Sequence, residues 1–208
     1  MQQQKWDERY QARAFAYGKA PNVFFEEWLP KFTPGKLLMP ADGEGRNGVF
    51  AATLGWQVTS VDLSAEGQTK ALQLAGEQGV TLDYKVGDLG ELDFAKETFD
   101  AIGLIYAHFD ADKKTTYHQQ LANCLKPGGI IILEAFSKAH LHFSALDPKV
   151  GGPKNKAMLY STDEIAADFQ GYEMLKLAEE EIELNEGLYH IGKGSVVRFV
   201  GRKPFKNE

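Results

Sequence analysis

Residues 36–62 read KLLMPADGEGRNGVFAATLGWQVTSVD, and this stretch decides the fold. A short apolar run comes first, and a loop with three glycines follows it. The next segment has apolar residues at helical spacing and stops at Gly55, while a run rich in β-branched residues ends at Asp62. Because glycine readily takes the left-handed conformation that closes a helix, the stretch predicts a strand, a helix and a second strand.

The same alternation continues along the chain. Ser64 is a favourable N-cap for a helix that extends to about residue 76, and another helix is predicted at 112–125. Further strands are predicted in the β-rich or apolar runs at 81–88, 99–107 and 129–136. Five strands separated by helices predict an α/β fold with a doubly wound parallel sheet.

The last part of the chain departs from this alternation. The runs at 172–184 and 194–203 are both strand-like, and only a turn-like segment around Gly187 and Gly192 separates them. They predict an antiparallel pair at the edge of the sheet. The complete prediction is a Rossmann-like, doubly wound sheet of seven strands, with five parallel strands, a C-terminal antiparallel pair and helices on both faces.

Composition narrows the classes of partner. The 208 residues fit a single domain, and with a net charge of −6 and no lysine or arginine cluster a nucleic-acid surface is not expected. No run of 18 apolar residues exists and no apolar segment follows a basic start, so neither a membrane span nor a secretory signal is expected. The single cysteine, Cys124, excludes an internal disulfide. We expect a cytoplasmic protein, monomeric or homodimeric, whose partner is a small molecule.

The glycine loop predicts a nucleotide site. Residues 43–48 spell GEGRNG, the G-x-G-x-x-G pattern of dinucleotide-binding loops. Asp62 ends the second strand 19 residues after Gly43 and can accept both hydroxyls of a ribose, while Asp88 ends the third strand and can reach an adenine amino group. These residues fit any adenosine cofactor, so they do not separate NAD from other adenosine compounds.

Longer stretches are more specific in combination. Residues 37–64 (LLMPADGEGRNGVFAATLGWQVTSVDLS), 86–109 (VGDLGELDFAKETFDAIGLIYAHF) and 121–136 (LANCLKPGGIIILEAF) resemble successive motifs of class I S-adenosylmethionine-dependent methyltransferases. The N-terminal WDERY…AYGKAPNVFF and the later GGPKNKAMLYSTDEIAADF resemble a bacterial subgroup related to tellurite-resistance and thiopurine-type methyltransferases.

The resemblance implies S-adenosylmethionine as the cofactor, S-adenosylhomocysteine as the product, and a small acceptor such as a thiol or a metalloid oxyanion. It also implies one methyltransferase domain over 1–208, with an N-terminal helical lid at 1–34, a cofactor-binding core at 35–136, and a substrate-side segment with the strand pair at 137–208. The residues that it implies for cofactor binding are Ala41, Asp42, Gly43, Gly45, Arg46, Asn47, Asp62, Leu63, Ser64, Asp88, Leu89 and Tyr106.

One segment departs from the family's pattern. Where the family has an acidic residue, an apolar residue and a glycine, this chain has Met39, Pro40 and Ala41. The carboxylate that helps to hold the methionine ammonium is therefore missing, and we expect Asp42 to take over its charge. Alanine in place of glycine predicts a different backbone path at residue 41.

For the pocket that would bind the methyl acceptor, the sequence indicates no catalytic residue, and only candidates for lining residues can be given. Tyr106 and His108 follow the fourth strand, where acceptor and methyl group are expected to meet, and Tyr17 is a third pocket candidate. Tyr10, Tyr17 and Asn22 are candidates for the lid, and Tyr160, Tyr189 and His190 for the substrate side. No metal site is expected, because the His140-Leu141-His142 pair lacks the i, i+4 helical spacing of a zinc site.

Two alternatives remain at the level of sequence. The altered Met39–Ala41 segment is compatible with a non-catalytic S-adenosylmethionine-binding protein. An NAD(P)-binding oxidoreductase is disfavoured, because a dehydrogenase usually needs a further catalytic domain and the C-terminal strand pair does not suit a dinucleotide fold.

Overall fold

The computed structural model describes residues 2–206, which form one seven-stranded mixed sheet with helices on both faces. The strands are β1 (Lys36–Pro40), β2 (Gln57–Asp62), β3 (Asp83–Val86), β4 (Phe99–Ile105), β5 (Leu125–Phe136), β6 (Glu173–Glu186) and β7 (His190–Arg202). The helices are α1 (Gln2–Tyr10), α2 (Val23–Trp28), α3 (Arg46–Thr53), α4 (Ala65–Glu77), α5 (Lys114–Cys124), α6 (His140–Leu146) and α7 (Thr162–Asp168).

The strand order confirms the predicted fold. It is β3-β2-β1-β4-β5-β7-β6, with β1 to β5 parallel and β7 antiparallel to both β5 and β6. The order reverses between β1 and β4, and ligands of open α/β sheets bind outside the carboxyl ends of the strands at such a point.

Alternating side chains of the central strands build the core on both faces. Leu38 and Ile102 face one apolar cluster with residues of α5 and α7, and Leu37 and Ala101 face another with residues of α2 and α3. Successive side chains of a strand point to opposite faces. A strand segment covered on both sides is therefore expected to be continuously apolar, as 101–105 of β4 and 130–133 of β5 are.

Two predicted boundaries differ from the structure. β5 begins at Leu125 and not at the predicted residue 129, because Leu125 pairs with Phe99 of β4 and Gly128 donates a backbone hydrogen bond to the Lys203 carbonyl. The N-terminal segment, expected to be helical over 1–34, leaves the helical conformation at the end of α1, Tyr10, because the segment after it is held by a contact of Ala16 with Glu44 of the glycine loop.

The carboxyl ends of β1 to β5 share one edge of the sheet, and three segments from elsewhere in the chain meet there. They are α1 with the residues that follow it, residues 148–158, and the turn between β6 and β7. Among residues 2–206, no helix is long and apolar enough to cross a membrane.

Candidate functional site

A cavity of about 580 Å³ lies over the carboxyl ends of the parallel strands. This volume is in the range of small-molecule sites. The loops after β1, β2, β3 and β4 form its floor, and α1 with the segment after it covers one side. Ten of the twelve residues predicted to bind a cofactor line it: Ala41, Asp42, Gly43, Arg46, Asn47, Asp62, Leu63, Asp88, Leu89 and Tyr106.

Gly45 and Ser64 do not line the cavity but support its walls. Gly45 precedes α3 with a φ of +80°, and a Cβ there would lie 2.5 Å from the Cβ of Ala71, so glycine lets α3 approach α4. Ser64 is the N-cap of α4, as predicted, and accepts a hydrogen bond from the Gly67 N–H. Its hydroxyl donates to Asp7 at 2.6 Å, which ties α1 to the start of α4.

Asp62, at the end of β2, is one of the acidic residues that line the cavity. Its carboxylate accepts backbone hydrogen bonds from Gly43 at 2.9 Å and Ser64 at 3.0 Å, and from Leu63. Burial raises its pKa to about 6, against the effect of these three donors. An ionised carboxylate has about four acceptor positions, so Asp62 retains capacity for a ligand hydroxyl.

The Asp42 carboxylate is held by the protein. Its Oδ2 accepts from the Ser60 hydroxyl at 2.7 Å and its Oδ1 accepts from the Gly48 N–H at 3.3 Å. Burial raises its pKa to about 7, and these two hydrogen bonds oppose the rise. The Asp42 side chain thus links the glycine loop to β2 and α3, and its replacement of the family's missing acid stays a prediction.

This burial gives Asp42 a predicted signature in pH. Its folded pKa lies above the ordinary value of 3.8, so its contribution to stability is greatest below pH 3.8 and is lost as pH rises through about 7. Asp42→Asn removes this titration. We expect the stability of wild type relative to the variant to fall by about 3 kcal/mol between pH 4.5 and 7.5. Urea unfolding at both values measures it, and a constant difference would contradict the assignment.

Ala41 adopts a φ of +55°, the left-handed conformation that favours glycine. The prediction that alanine gives residue 41 a different backbone path from glycine is therefore wrong. Ala41 takes the conformation that glycine would take, and it bears the strain of that conformation. Contacts on both sides of Ala41 fix this turn. Pro40 pairs with Val61 in the sheet, and Asp42, the residue after Ala41, donates its N–H to the Val61 carbonyl.

Relieving this strain is expected to stabilise the protein. A left-handed alanine costs about 1–2 kcal/mol relative to glycine, and the greater freedom of glycine in the unfolded chain offsets part of the gain. Ala41→Gly should therefore raise the free energy of unfolding by about 0.5–1 kcal/mol. Urea unfolding would measure it, with Ala52→Gly on helix α3 as a destabilising control. A lower free energy of unfolding in Ala41→Gly than in wild type would contradict the inference that Ala41 is strained.

Asp88 lies at the far end of the cavity beside Leu89. Its carboxylate accepts from the Tyr117 hydroxyl at 2.6 Å, the Gly90 N–H at 2.9 Å and the Lys113 ammonium at 3.3 Å. The bond from Tyr117 is the main cause that lowers the pKa of Asp88. Asp88 is thus an ionised acceptor held in place by its neighbours.

Arg46 and Asn47 open α3 and are tied to distant parts of the chain. Arg46 forms a buried ion pair with Glu186 of β6 at 2.9 Å, and Asn47 accepts the backbone N–H of Asn22 at 2.8 Å. The Asn22 side chain donates to Glu134 of β5 at 2.6 Å and to Glu186 at 3.1 Å. Sequence reasoning missed Glu134 and Glu186, because their partners are distant in sequence.

Aromatic rings line the opposite end of the cavity. The Tyr106 ring lies 4.7 Å from Phe136 and 4.6 Å from His190, measured between centroids, and the Tyr17 ring lies 4.6 Å from His190. Tyr106 has a φ of +52°, and its buried hydroxyl lies near the Glu134 carboxylate but makes no well-aligned hydrogen bond among residues 2–206. Strained residues with unsatisfied groups cluster at functional sites.

His108 lines this end as well, but both of its nitrogens are engaged. Its Nε2 accepts the Phe136 N–H at 3.2 Å, which leaves Nδ1 to donate to the Met158 carbonyl at 3.0 Å. Burial lowers its pKa to about 4, so the ring is neutral. His108 therefore links the backbone at Phe136 to the backbone at Met158, and neither of its ring nitrogens is free to accept a proton.

The remaining candidates divide between cavity and core. Tyr10, Tyr17, Tyr189 and His190 line the cavity, whereas Tyr160 is buried in the core and donates to the Ala107 carbonyl at 3.0 Å. Within residues 2–206 no group of three or more His, Cys, Asp or Glu side chains is placed to hold a metal ion.

Comparison with known sequences adds a family match. The family model described as a methyltransferase domain matches residues 38–129, which contain the glycine loop, Asp62 and Asp88. An uncharacterized protein of Mycobacterium tuberculosis H37Rv is 34% identical over 103 residues, 47% of this chain and 36% of that protein. The match to an uncharacterized Mycobacterium bovis protein has the same identity and coverage. The chain thus spans about a third of these relatives.

Solved structures are similar over nearly the whole chain. A protein studied for the conversion of a disulfide bond into a thioacetal group during echinomycin biosynthesis has a TM-score of 0.77 at 18% identity, covering 100% of this chain and 95% of that one. TehB from Haemophilus influenzae has a TM-score of 0.70 at 16% identity, covering 97% and 66%. A SAM-dependent methyltransferase from Methanosarcina mazei has a TM-score of 0.65 at 18% identity, covering 90% and 100%. At these identities the likeness establishes the fold.

Proposed function

Because the chain carries a domain of the class I S-adenosylmethionine-dependent methyltransferase family, we propose that it transfers the methyl group of S-adenosylmethionine to a small-molecule acceptor. The observation that carries the proposal is Asp62, a carboxylate with spare acceptor capacity on the cavity floor, where the parallel strands end. Ribose hydroxyls are hydrogen-bond donors of the kind that such a group accepts.

The residues of the cavity fit the parts of this cofactor. Asp62 would bind the ribose, and Asp88 with the Leu89 backbone would bind the adenine, where Tyr117 lies beside Asp88. Arg46 and the first N–H groups of α3 would face the methionine carboxylate, since helix N-termini favour anions. The Tyr106 hydroxyl lies toward the other end, where polar ligand atoms would satisfy it.

The cofactor supplies a methyl group activated by its bond to a sulfonium, and the protein supplies position and shelter. Residues 1–34 are proposed as the lid, because Trp6, Arg9 and Tyr17 line the cavity from the side opposite the strand ends. A covered cavity excludes water and holds the acceptor in one orientation, which accounts for much of the rate enhancement in such transfers.

The acceptor is proposed to be a thiol or a metalloid oxyanion. Aromatic rings of Tyr17, Tyr106 and Phe136 lie close together at one end of the cavity, which suits a compact group. The similar structure from echinomycin biosynthesis concerns chemistry at a disulfide bond, in keeping with a sulfur acceptor.

Calorimetry with S-adenosylhomocysteine tests the proposal directly. We expect saturable one-to-one binding, and no binding of NADH under the same conditions. Binding of NADH in place of S-adenosylhomocysteine would favour an oxidoreductase. Binding of S-adenosylmethionine with no turnover across thiols and metalloid oxyanions would favour the non-catalytic alternative.

A further inference from the structure

Glu186 and His190 form a buried dyad at the aromatic end of the cavity. Glu186 is the last residue of β6 and His190 is the first of β7, so the turn between them places the two side chains together. The Glu186 Oε2 atom lies 2.9 Å from His190 Nδ1, and only 11% and 7% of the two side chains are exposed.

The charge of Glu186 sets the tautomer of His190. Burial alone would raise the pKa of Glu186, but its contacts with His190, Arg46 and Asn22 outweigh burial and hold the pKa at about 2. An ionised carboxylate only accepts hydrogen bonds, so His190 Nδ1 must be the donor. The second ring nitrogen, Nε2, is then unprotonated and able to accept a proton.

The ring of His190 lies where an acceptor would bind. Its centroid is 4.6 Å from those of Tyr17 and Tyr106. Its Nε2 edge borders Gly151, a cavity residue with a φ of +72°, and a Cβ there would lie 2.8 Å from His190 Cδ2. Glycine thus leaves room beside Nε2, whereas both nitrogens of His108 are bonded to the backbone.

Building on the proposed methyl transfer, we propose that His190 is the general base that removes the proton of a thiol acceptor, with Glu186 as its positioning residue. His190 Nε2 takes the S–H proton, and the sulfur uses its electron pair to form the new bond to the methyl carbon. The old bond from that carbon to the donor sulfur breaks with its electrons on the donor. The imidazolium of His190 afterwards releases its proton to water.

A thiol fits this dyad better than a metalloid oxyanion. A free thiol has a pKa of about 8.5 and is mostly protonated near neutral pH, so a base has a task to perform. An anionic acceptor needs no proton removed, so the dyad would have no task with it. Sulfur also makes favourable contacts with aromatic rings, which Tyr17, Tyr106 and Phe136 offer.

Groups from several elements act on His190. Burial lowers its pKa and Glu186 opposes this, while nearby arginines favour the neutral ring. The charged and titratable groups that face it are Glu186, Arg46, Arg9, Tyr17, Tyr106, His108 and His140. The ring is therefore expected to be neutral at pH 7, as a base must be.

The test compares two thiols that differ in ionisation. 2-Mercaptoethanol is mostly protonated at pH 7, and 4-nitrobenzenethiol is ionised. His190→Asn keeps an amide N–H for Glu186 but has no atom in place of Nε2. We expect it to lower kcat about 100-fold with 2-mercaptoethanol and less than about 3-fold with 4-nitrobenzenethiol, with unchanged S-adenosylhomocysteine affinity. The matched control, His142→Asn, alters an exposed histidine of α6 and should change neither rate.

Each other result overturns the inference. An equal loss with both thiols would indicate a structural role, and no loss would exclude the base. Wild-type protein that binds S-adenosylhomocysteine but methylates neither thiol would also refute the inference, while the cofactor proposal would stand. No binding of S-adenosylhomocysteine would overturn the proposed function and the inference together.

A readout without turnover checks the geometry. In the S-adenosylhomocysteine complex of ¹⁵N-histidine-labelled protein at pH 7, the signal absent from His190→Asn should have a protonated Nδ1 and a free Nε2. A protonated Nε2 or an imidazolium would refute the base. If His190→Asn does not fold, the wild-type pH profile decides: kcat with 2-mercaptoethanol should fall at acidic pH while kcat with 4-nitrobenzenethiol stays level, and parallel profiles would refute it.

Discussion

Replacing Asp62 with alanine is expected to weaken S-adenosylhomocysteine binding by about 100-fold, or about 2.7 kcal/mol. The carboxylate is proposed to accept ribose hydroxyls, and each hydrogen bond to a charged group contributes about 1.5–3 kcal/mol. Titration calorimetry measures the change directly.

Asp62 also accepts the N–H groups of Gly43 and Ser64. The effect of disordering these loops therefore has to be separated from the loss of the ligand contact. Asp62→Asn keeps one acceptor oxygen, and its NH2 group replaces the oxygen that bonds either Gly43 or Ser64. It should lose about 10-fold in affinity and only part of the thermal stability that Asp62→Ala loses. The control is Asp83→Ala, an exposed aspartate on β3, which should bind as wild type does. Unchanged affinity in Asp62→Ala would refute its role in ribose binding.

The second large effect is expected from Lys70→Met, which should lower the free energy of unfolding by about 3 kcal/mol. The Lys70 ammonium pairs with Glu44 at 2.6 Å and donates to the Ala14 carbonyl at 2.7 Å, and Glu44 in turn accepts the Ala16 N–H at 2.7 Å. Only 11% of the Lys70 side chain and 3% of the Glu44 side chain are exposed. Methionine would leave a buried carboxylate without its cation, which is strongly unfavourable.

The same contacts hold residues 11–22 over the cavity, so Lys70→Met should also speed limited proteolysis in that segment. Lys19→Met is a close control, because Lys19 also pairs with a glutamate of α4, Glu77, at 2.6 Å. That pair is exposed and should contribute less than about 1 kcal/mol. Similar losses from both variants would contradict the importance of burial.

Local pattern was enough to predict the sheet and the floor of the site. The apolar runs that became β1, β4 and β5, and the position of Asp62 at a strand end, are properties of short segments. Strand ends of a parallel sheet meet at one edge, so the positions of Asp62 and Asp88 followed from the fold class. Ser64 as the cap of α4 was equally local.

The state of each carboxylate was decided by the tertiary structure. Asp42 and Asp62 look alike in sequence, yet Asp42 accepts the Ser60 hydroxyl and the Gly48 N–H, whereas Asp62 accepts backbone N–H groups from its own loop and from the glycine loop. Hydrogen-bond partners come from residues that only folding brings close, and no pattern of spacing encodes them.

The contacts between the N-terminal half of the chain and the C-terminal strand pair were also decided by the tertiary structure. Sequence alone determined that this is a doubly wound sheet with acidic strand ends beside a glycine loop. Tertiary structure decided that Arg46 and Asn22 would meet Glu186, and that His190 would lie between Tyr17 and Tyr106. The reason is physical: the antiparallel pairing of β6 with β7, and of β7 with β5, sets which side chains share the buried end of the cavity.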